Sequence, residues 1–243
     1  MPARERDDVV VFVGPTLATS RRARALARRV RVRRPVRRHD LAKLVEERRR
    51  PGVVAIVDGV FHDTLAVGHA EIREALARGW QVWGLSSMGA IRAREMATLG
   101  MRGFGAVFER FCGEDDFQDD EVALLHEPAS PYRPVTEPLV HLRAAIEHLV
   151  GDGIVDPAAA RQVVADLKSR WYGERTIRGA ARALGRHARG GAPAVARAWA
   201  DFDRFRLKTI DFERFVEGRP WRDAQGATAQ VRKPARTSRR SGG

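Results

Sequence analysis

The chain has few residues of several kinds, and each scarcity excludes a class of protein. Cys112 is its only cysteine, which excludes an internal disulfide and a thiolate metal cluster. No apolar run approaches the ~18 residues of a membrane-spanning helix, and residues 1–8 lack the apolar stretch of a secretory signal. We therefore expect a protein of the reducing cytoplasm that makes no contact with a membrane.

Lysine is scarce as well, since only four of the 44 basic residues are lysines and the others are arginines. The net charge of +13 is unevenly spread, because residues 21–50 carry fourteen Arg or Lys against three acids. Nucleic-acid binding is one interpretation of this stretch, but residues 21–34 lack the interleaved aromatics of a single-strand stacking site. We favour a solvated basic surface and do not expect nucleic acid as a partner.

Short apolar runs alternate with helical patterns in the first half of the chain. Residues 9–13, 53–57 and 81–85 are rich in β-branched or aromatic side chains, which is typical of buried parallel strands. Residues 30–33 alternate in polarity and suit a more exposed strand. Strands alternating with helices predict an α/β fold, a Rossmann- or flavodoxin-like parallel sheet with flanking helices, over residues 1–137.

The second half of the chain has the pattern of a mainly helical region. Apolar stripes at helical spacing recur through residues 138–221, and Asp156 followed by Pro157 suits an N-cap and the first position of a helix. The aromatic side chains concentrated there are interpreted as core packing between helices. Residues 222–243 are rich in Gly, Ser, Arg and Pro, and we expect them to form a disordered basic tail.

Polar or small residues follow each of the three strong strands. In an open parallel sheet, ligands bind at the carboxyl ends of the strands, where the loops converge. Neighbouring strands lie about 4.8 Å apart, so side chains of these loops can touch although they are distant in sequence. We predict a site built from three groups: Gly14, Pro15 and Thr16; Asp58 and Gly59; and Ser86, Ser87 and Gly89.

Ser87 is the candidate nucleophile of this site. A strand, a tight turn and a helix can hold a serine hydroxyl beside the free N–H groups of the helix, as in the G-x-S-x-G elbow. Ser87-Met88-Gly89 supplies the second half of that motif, but Leu85 stands in place of its first glycine. The alternative is that Ser86 or Ser87 only caps the following helix.

A serine nucleophile needs a base, and the candidates are histidines. His69 shares the apolar stripe of its helix, so it is either a buried core residue or faces a cleft. His126 closes an acidic segment, and His62 follows the Asp58 loop, where a surface position is as consistent with the sequence. Asp58 either orients the base or caps the next turn.

Two further charged features have alternative interpretations. Arg92, early in the helix after Ser87, either pairs with Glu95 or clamps a substrate carboxylate. Residues 114–121 hold six acids, which we interpret as a solvated loop, with Mg²⁺ binding or contact with a basic partner as alternatives. The chain lacks phosphate-binding glycine motifs and the usual zinc motifs, so we expect neither a cofactor nor a metal.

Taken in order, these segments resemble those of TfuA-like proteins over roughly residues 9–150. The matching positions are Val13-Gly14-Pro15-Thr16-Leu17, Asp58-Gly59-Val60-Phe61, His69 with Glu71-Ile72, Ser86-Ser87-Met88-Gly89-Ala90 with Arg92 and Glu95, Gly100-Met101, Gly103 with Gly105, Asp119-Asp120-Glu121-Val122-Ala123 with His126, Tyr132, and Glu137-Pro138. Any one of them would be a weak signal, and their shared order makes the resemblance specific.

The resemblance implies a role in the biosynthesis of ribosomally synthesised, modified peptides. TfuA-like proteins accompany YcaO enzymes, and together they install a backbone thioamide. The implied activity is hydrolysis of a thiocarboxylated ThiS-like sulfur carrier, which releases sulfide for the YcaO-type enzyme. The implied partners are that enzyme and the carrier, with the precursor peptide as a further candidate.

Acyl chemistry of this kind needs a nucleophile or activated water, a proton shuttle and an oxyanion site. Our hypothesis gives Ser87 the first role and His69 or His126 the second, with Asp58 orienting the base. The amides of residues 14–16 and 89–90 would bind the oxyanion. The alternative hypothesis is a non-catalytic adaptor that activates or positions YcaO.

Overall fold

The computed structural model describes residues 8–48, 50–60 and 65–223. His62 lies outside the described residues, and so do residues 224–243, which form most of the predicted basic tail. None of the described helices is long and apolar enough to cross a membrane.

The core is a sheet of five parallel strands in the order β2-β1-β3-β4-β5. The strands are β1 (Val9–Phe12), β2 (Arg31–Arg33), β3 (Val53–Ile56), β4 (Gln81–Leu85) and β5 (Arg102–Phe104). This is the strand order of flavodoxin-like folds, so the predicted α/β fold is confirmed. The sequence pattern misses β5, because three half-buried residues around Gly103 are too few to show a period.

Helices flank the sheet and make up most of the second half of the described chain. The first six are α1 (Pro15–Ala18), α2 (Arg21–Ala27), α3 (Asp40–Glu47), α4 (His69–Ala77), α5 (Met88–Met96) and α6 (Ala106–Gly113). The mainly helical C-terminal region is confirmed as α7 (Leu139–Gly151), α8 (Pro157–Ser169), α9 (Ile177–Gly185), α10 (Gly191–Ala198) and α11 (Leu207–Gly218). Asp156 caps α8 as expected, because its Oδ1 accepts a hydrogen bond from the amide of Ala158 at 2.8 Å.

Different helices cover the two faces of the sheet, because alternate residues of a strand point to opposite sides. On one face, Val10 and Phe12 join a core with α3, α4 and α5. On the other, Val9 and Val11 pack with α2 and with Phe215 of α11. The last of the described helices therefore packs on this face of the sheet. The predicted domain boundary after residue 137 stays a prediction.

The aromatic side chains of the second half are mostly core residues, as the sequence indicates. Trp199, Phe202 and Phe205 are buried among α7–α10, and the indole of Trp199 donates a hydrogen bond to the carbonyl of Ala145 at 3.1 Å. Trp171 is the exception, since 57% of it is exposed.

Two glycines set the close approach of α5 to the sheet. A Cβ atom on Gly89 would stand 1.7 Å from the carbonyl oxygen of Ile56. A Cβ atom on Gly84 would stand 2.0 Å from the carbonyl oxygen of Gly89. Because no larger residue fits at either place, the first turn of α5 lies directly on the ends of β3 and β4.

Asp211 of α11 is a buried carboxylate whose pKa is strongly raised. It is fully buried, and its oxygens accept hydrogen bonds from the amides of Ala106 at 2.8 Å and Val107 at 3.0 Å. Burial raises the pKa of Asp211 to about 7, although both amides act in the opposite direction. The folded state therefore binds this proton more tightly than the unfolded state, in which the pKa of an aspartate is about 3.9.

We expect Asp211 to make the folded state less stable as the pH rises. The bound proton contributes up to about 4 kcal/mol to the free energy of unfolding. This contribution is complete below about pH 4 and is lost as the pH rises past about 7. In urea unfolding, the wild-type chain should lose this much more stability than Asp211→Asn over that interval. The exposed Asp201→Asn variant serves as the control, and a wild-type slope equal to that of Asp211→Asn would contradict the prediction.

Candidate functional site

A cleft of about 440 Å³ opens at the carboxyl ends of β1, β3 and β4. Each of the three predicted loops reaches it, through Pro15, through Asp58 and Gly59, and through Ser87. The rest of its lining consists of residues 122–126 and Pro128, of Trp171 and Tyr172 from the helical region, and of Lys208 of α11. The volume is in the range of small-molecule sites.

The carboxylate of Asp58 holds in place the residues that follow β1, Gly14 to Thr16, which we call the β1 loop. It is buried, and its Oδ2 accepts hydrogen bonds from the amides of Gly14 at 2.8 Å and Thr16 at 3.0 Å. Its Oδ1 accepts a third hydrogen bond from the hydroxyl of Thr16 at 2.8 Å. No described histidine contacts Asp58, so the geometry does not support the predicted role of orienting a base.

These bonds overturn the expected oxyanion site. The amides of Gly14 and Thr16 already donate to Asp58, and Pro15 between them has no N–H. In α5, the amide of Gly89 donates to the carbonyl of Val57 at 3.3 Å, and that of Ala90 donates to the carbonyl of Ser87 at 2.9 Å. The predicted amides are therefore engaged within the fold.

One amide at the start of α5 remains available. The N–H of Met88, the first residue of the helix, has no partner in the part of the chain that the structure describes. The N-terminal N–H groups of a helix favour negative charge nearby. Among the first three amides of α5, that of Met88 is therefore the one without a partner in the described chain.

The turn between β4 and α5 separates the roles of the two serines. Ser86 has a left-handed backbone with φ of 65°, and its buried hydroxyl donates a hydrogen bond to the carbonyl of Lys208 at 2.8 Å. Such backbone strain in a non-glycine residue is concentrated at functional sites. Ser87 occupies the N-cap position of α5, but its side chain makes no capping bond, nor any other hydrogen bond to a described residue. The Ser87 hydroxyl is therefore available in the cleft.

His69 does not lie where its helical stripe predicts. It is the first residue of α4, and 55% of its side chain is exposed, so the expectation of a buried position is wrong. Its Nε2 lies 2.7 Å from Oε2 of Glu95, which also accepts a hydrogen bond from Arg92 at 2.6 Å. Arg92 thus pairs with Glu95, and neither His69 nor Arg92 lines the cleft.

His126 lines the cleft, unlike His69. Its Nδ1 lies 2.7 Å from the carbonyl oxygen of Glu127, and the ring packs edge-on against Tyr132 at 5.7 Å. A carbonyl oxygen only accepts hydrogen bonds, so Nδ1 carries a proton in this contact.

Lys208 is a residue of the cleft that the sequence pattern does not single out. The residue is buried, and its Nζ donates a hydrogen bond to the carbonyl of Val122 at 3.1 Å and lies 4.0 Å from Oδ1 of Asp58. Burial lowers the pKa of Lys208, and the nearby carboxylates of Asp58 and Glu137 oppose this effect. The available signal was a lysine in an aromatic-rich segment of a chain that otherwise uses arginine.

A buried pair of side chains supports the backbone of Lys208. Nδ1 of His141 lies 2.6 Å from Oε1 of Glu137, and Nε2 of His141 accepts a hydrogen bond from the amide of Lys208 at 3.2 Å. Burial lowers the pKa of His141, although Glu137 acts against it. A neutral imidazole with its proton on Nδ1 fits both contacts.

The acidic segment at residues 114–121 is solvated only in part, because Asp115, Asp116 and Asp119 are exposed while other acids are paired inside the protein. Glu121 is fully buried and accepts hydrogen bonds from the guanidinium of Arg143 at 2.7 and 3.0 Å. Asp120 accepts a hydrogen bond from Arg175 at 2.6 Å. No group of three or more His, Cys, Asp or Glu side chains in the described residues is arranged to hold a metal ion. Asp120 and Glu121 thus pair with arginines of the helical region.

The family comparison matches a central part of the chain. Residues 58–176 match the model of the family described as TfuA-like protein. The matched range contains Asp58, Ser87 and His126 of the cleft and ends before Lys208. No curated protein matches the chain.

Proposed function

Because the chain belongs to the TfuA-like family, we propose that it hydrolyses the terminal thiocarboxylate of a ThiS-like sulfur carrier and delivers the sulfide to a YcaO-type enzyme. The observation that carries this proposal is the Ser87 hydroxyl. It lies in a cleft at the strand ends and has no hydrogen-bond partner among the described residues. A nucleophile in such a position is open to an incoming acyl group.

The proposed reaction has two steps. The oxygen of Ser87 forms a bond to the thiocarboxylate carbon, the C–S bond breaks, and hydrosulfide leaves with the proton of the hydroxyl. Water then hydrolyses the serine ester, which releases the carrier carboxylate and one proton and restores the hydroxyl. In this proposal the amide of Met88, at the N-terminus of α5, donates to the oxyanion of each tetrahedral intermediate.

We expect Ser87→Ala to lower sulfide release from a thiocarboxylated ThiS-like carrier by at least about 100-fold, because the acyl group then has no acceptor. Sulfide is measured directly, and circular dichroism checks that the variant is folded. The exposed Ser169→Ala variant is the matched control, since its hydroxyl donates only to the carbonyl of Asp166.

Two results would contradict the proposal in different ways. Undiminished release by Ser87→Ala would remove Ser87 from the mechanism and leave hydrolysis standing. If the wild-type chain releases no sulfide but stimulates thioamidation when sulfide is added, the protein is a non-catalytic adaptor of the YcaO-type enzyme.

A further inference from the structure

Lys208 is a buried amine whose hydrogen-bonding capacity is mostly unused. An ammonium group has three donors, but Nζ makes a single hydrogen bond, to the carbonyl of Val122, within the described chain. Asp58 lies 4.0 Å away, which is an ion-pair distance and not a hydrogen bond. Since Lys208 lines the cleft, the other hydrogen-bonding positions of its Nζ are available there.

The backbone around Lys208 is held on both sides. Its amide donates to His141, and its carbonyl accepts from the hydroxyl of Ser86, the residue before the candidate nucleophile. The hydroxyl of Thr209 donates to the carbonyl of Thr16 in the β1 loop at 2.9 Å. Bonds from three separate elements therefore fix this lysine, which is how a preorganised functional group is built.

The charges of the residues that line the cleft also favour a catalytic role for Lys208. It is the single Lys or Arg among the described residues that line the cleft, where Asp58 is the acidic residue. The charge of Asp58 is already compensated by three hydrogen-bond donors. Attack on a thiocarboxylate places negative charge on both oxygen and sulfur, and a cation formed on Lys208 would stabilise that charge.

We propose that Lys208, and neither of the predicted histidines, is the catalytic residue that accepts the proton of the Ser87 hydroxyl and passes it to the departing sulfur. This inference rests on the proposed function. The neutral amine takes the proton as the bond from Ser87 to the acyl carbon forms. The resulting ammonium returns it as the C–S bond breaks, so that hydrosulfide leaves and the amine is regenerated. The lowered pKa of Lys208 favours the neutral amine with which the cycle begins.

The test compares sulfide release by Lys208→Met, Lys208→Arg and His126→Gln with that of the wild-type chain. We expect both Lys208 variants to lower kcat by at least about 100-fold, because methionine holds no proton and arginine does not release one. A residue that only binds an anion or supports the fold would be rescued by arginine. The exposed Lys43→Met variant is the matched control and should stay within about twofold of wild type.

The pH dependence provides a second readout. A relay through Lys208 predicts that kcat/KM falls on the acidic side, as the amine becomes protonated. The ionisable groups that face it are Asp58 at the end of β3 and Glu137 and His141 at α7, with Arg206 beyond Glu137. His126→Gln should keep this acidic limb, and Lys208→Met should lose it.

The outcomes are distinguishable. Sulfide release by wild type and by both Lys208 variants at equal rates would overturn this inference and leave the proposed function standing. No release by wild type would overturn both. If neither variant folds, thioacetate should protect Lys208, but not Lys43, of the wild-type chain from acetic anhydride. Labelling of Lys208 that thioacetate does not change would then overturn the inference.

Discussion

Replacing Arg175 with lysine is expected to lower the free energy of unfolding by about 3–5 kcal/mol, because this conservative change breaks a buried hydrogen-bond network. The guanidinium of Arg175 is among the largest fully buried side chains of the described protein. Its Nε and one terminal nitrogen donate to three carbonyls at the end of α8, those of Leu167, Lys168 and Arg170. These carbonyls lack partners within the helix.

The same guanidinium connects α8 to the wall of the cleft. It donates to the backbone carbonyl of Asp120 at 2.9 Å and to its carboxylate at 2.6 Å. Lysine has three donors at a single point and cannot span these acceptors, and each buried acceptor left unpaired costs about 1–3 kcal/mol. Trp171 and Tyr172, between α8 and Arg175, line the cleft, so sulfide release should fall together with stability.

Urea unfolding of Arg175→Lys measures the effect, and the exposed Arg178→Lys on α9 is the matched control. We expect the control to change the unfolding free energy by less than about 0.5 kcal/mol. Equal stability of the two variants would show that water or a shifted backbone satisfies the carbonyls in place of the guanidinium.

The second large effect is expected at Asp58, where alanine and asparagine should separate two roles of one carboxylate. Asp58→Ala removes the acceptor of three buried donors and should lower the free energy of unfolding by about 3–6 kcal/mol. It should also abolish sulfide release, since the β1 loop at the cleft loses its attachment. Asp201→Ala, an exposed aspartate, is the control.

Asp58→Asn should keep most of the stability but change the chemistry. Its side-chain oxygen can still accept from the amides of Gly14 and Thr16, and we expect a loss of less than about 2 kcal/mol. The negative charge beside Lys208 disappears, which lowers the pKa of that amine further. The acidic limb of the pH–rate profile should therefore move to lower pH. A limb that stays in place would show that Asp58 acts on the loop alone.

Much of the fold could be predicted because its signals are local. The runs at residues 9–13, 53–57 and 81–85 are apolar on both faces, and such runs indicate strands buried in a parallel sheet. Parallel strands in turn require their loops to meet at one edge, which places Pro15, Asp58 and Ser87 around one cleft. Neither inference needs a contact between distant residues.

The sequence-based predictions are wrong where contacts between residues distant in the chain determine the position of a side chain. The helical stripe predicts His69 in the core or facing a cleft, but it stands on the first turn of α4 and pairs with Glu95 on another helix. The acids at residues 114–121 read as a solvated loop because the pattern does not show that Arg143 and Arg175 return to pair with them. A charge pattern reveals which side chains ionise, and only the fold reveals their partners.

The sequence by itself determined the layered α/β architecture, the helical second half and the edge of the sheet where polar loops meet. These features follow from the spacing of apolar residues, which is a property of residues close together in the chain. The tertiary structure alone decided which groups at that edge are free to react. Asp58 engages the amides of Gly14 and Thr16, Ser86 and His141 hold a lysine of α11 in the cleft, and Ser87 remains without a partner among the described residues. The reason is physical: the availability of a donor or acceptor depends on every group within about 3 Å, however far away it stands in the chain.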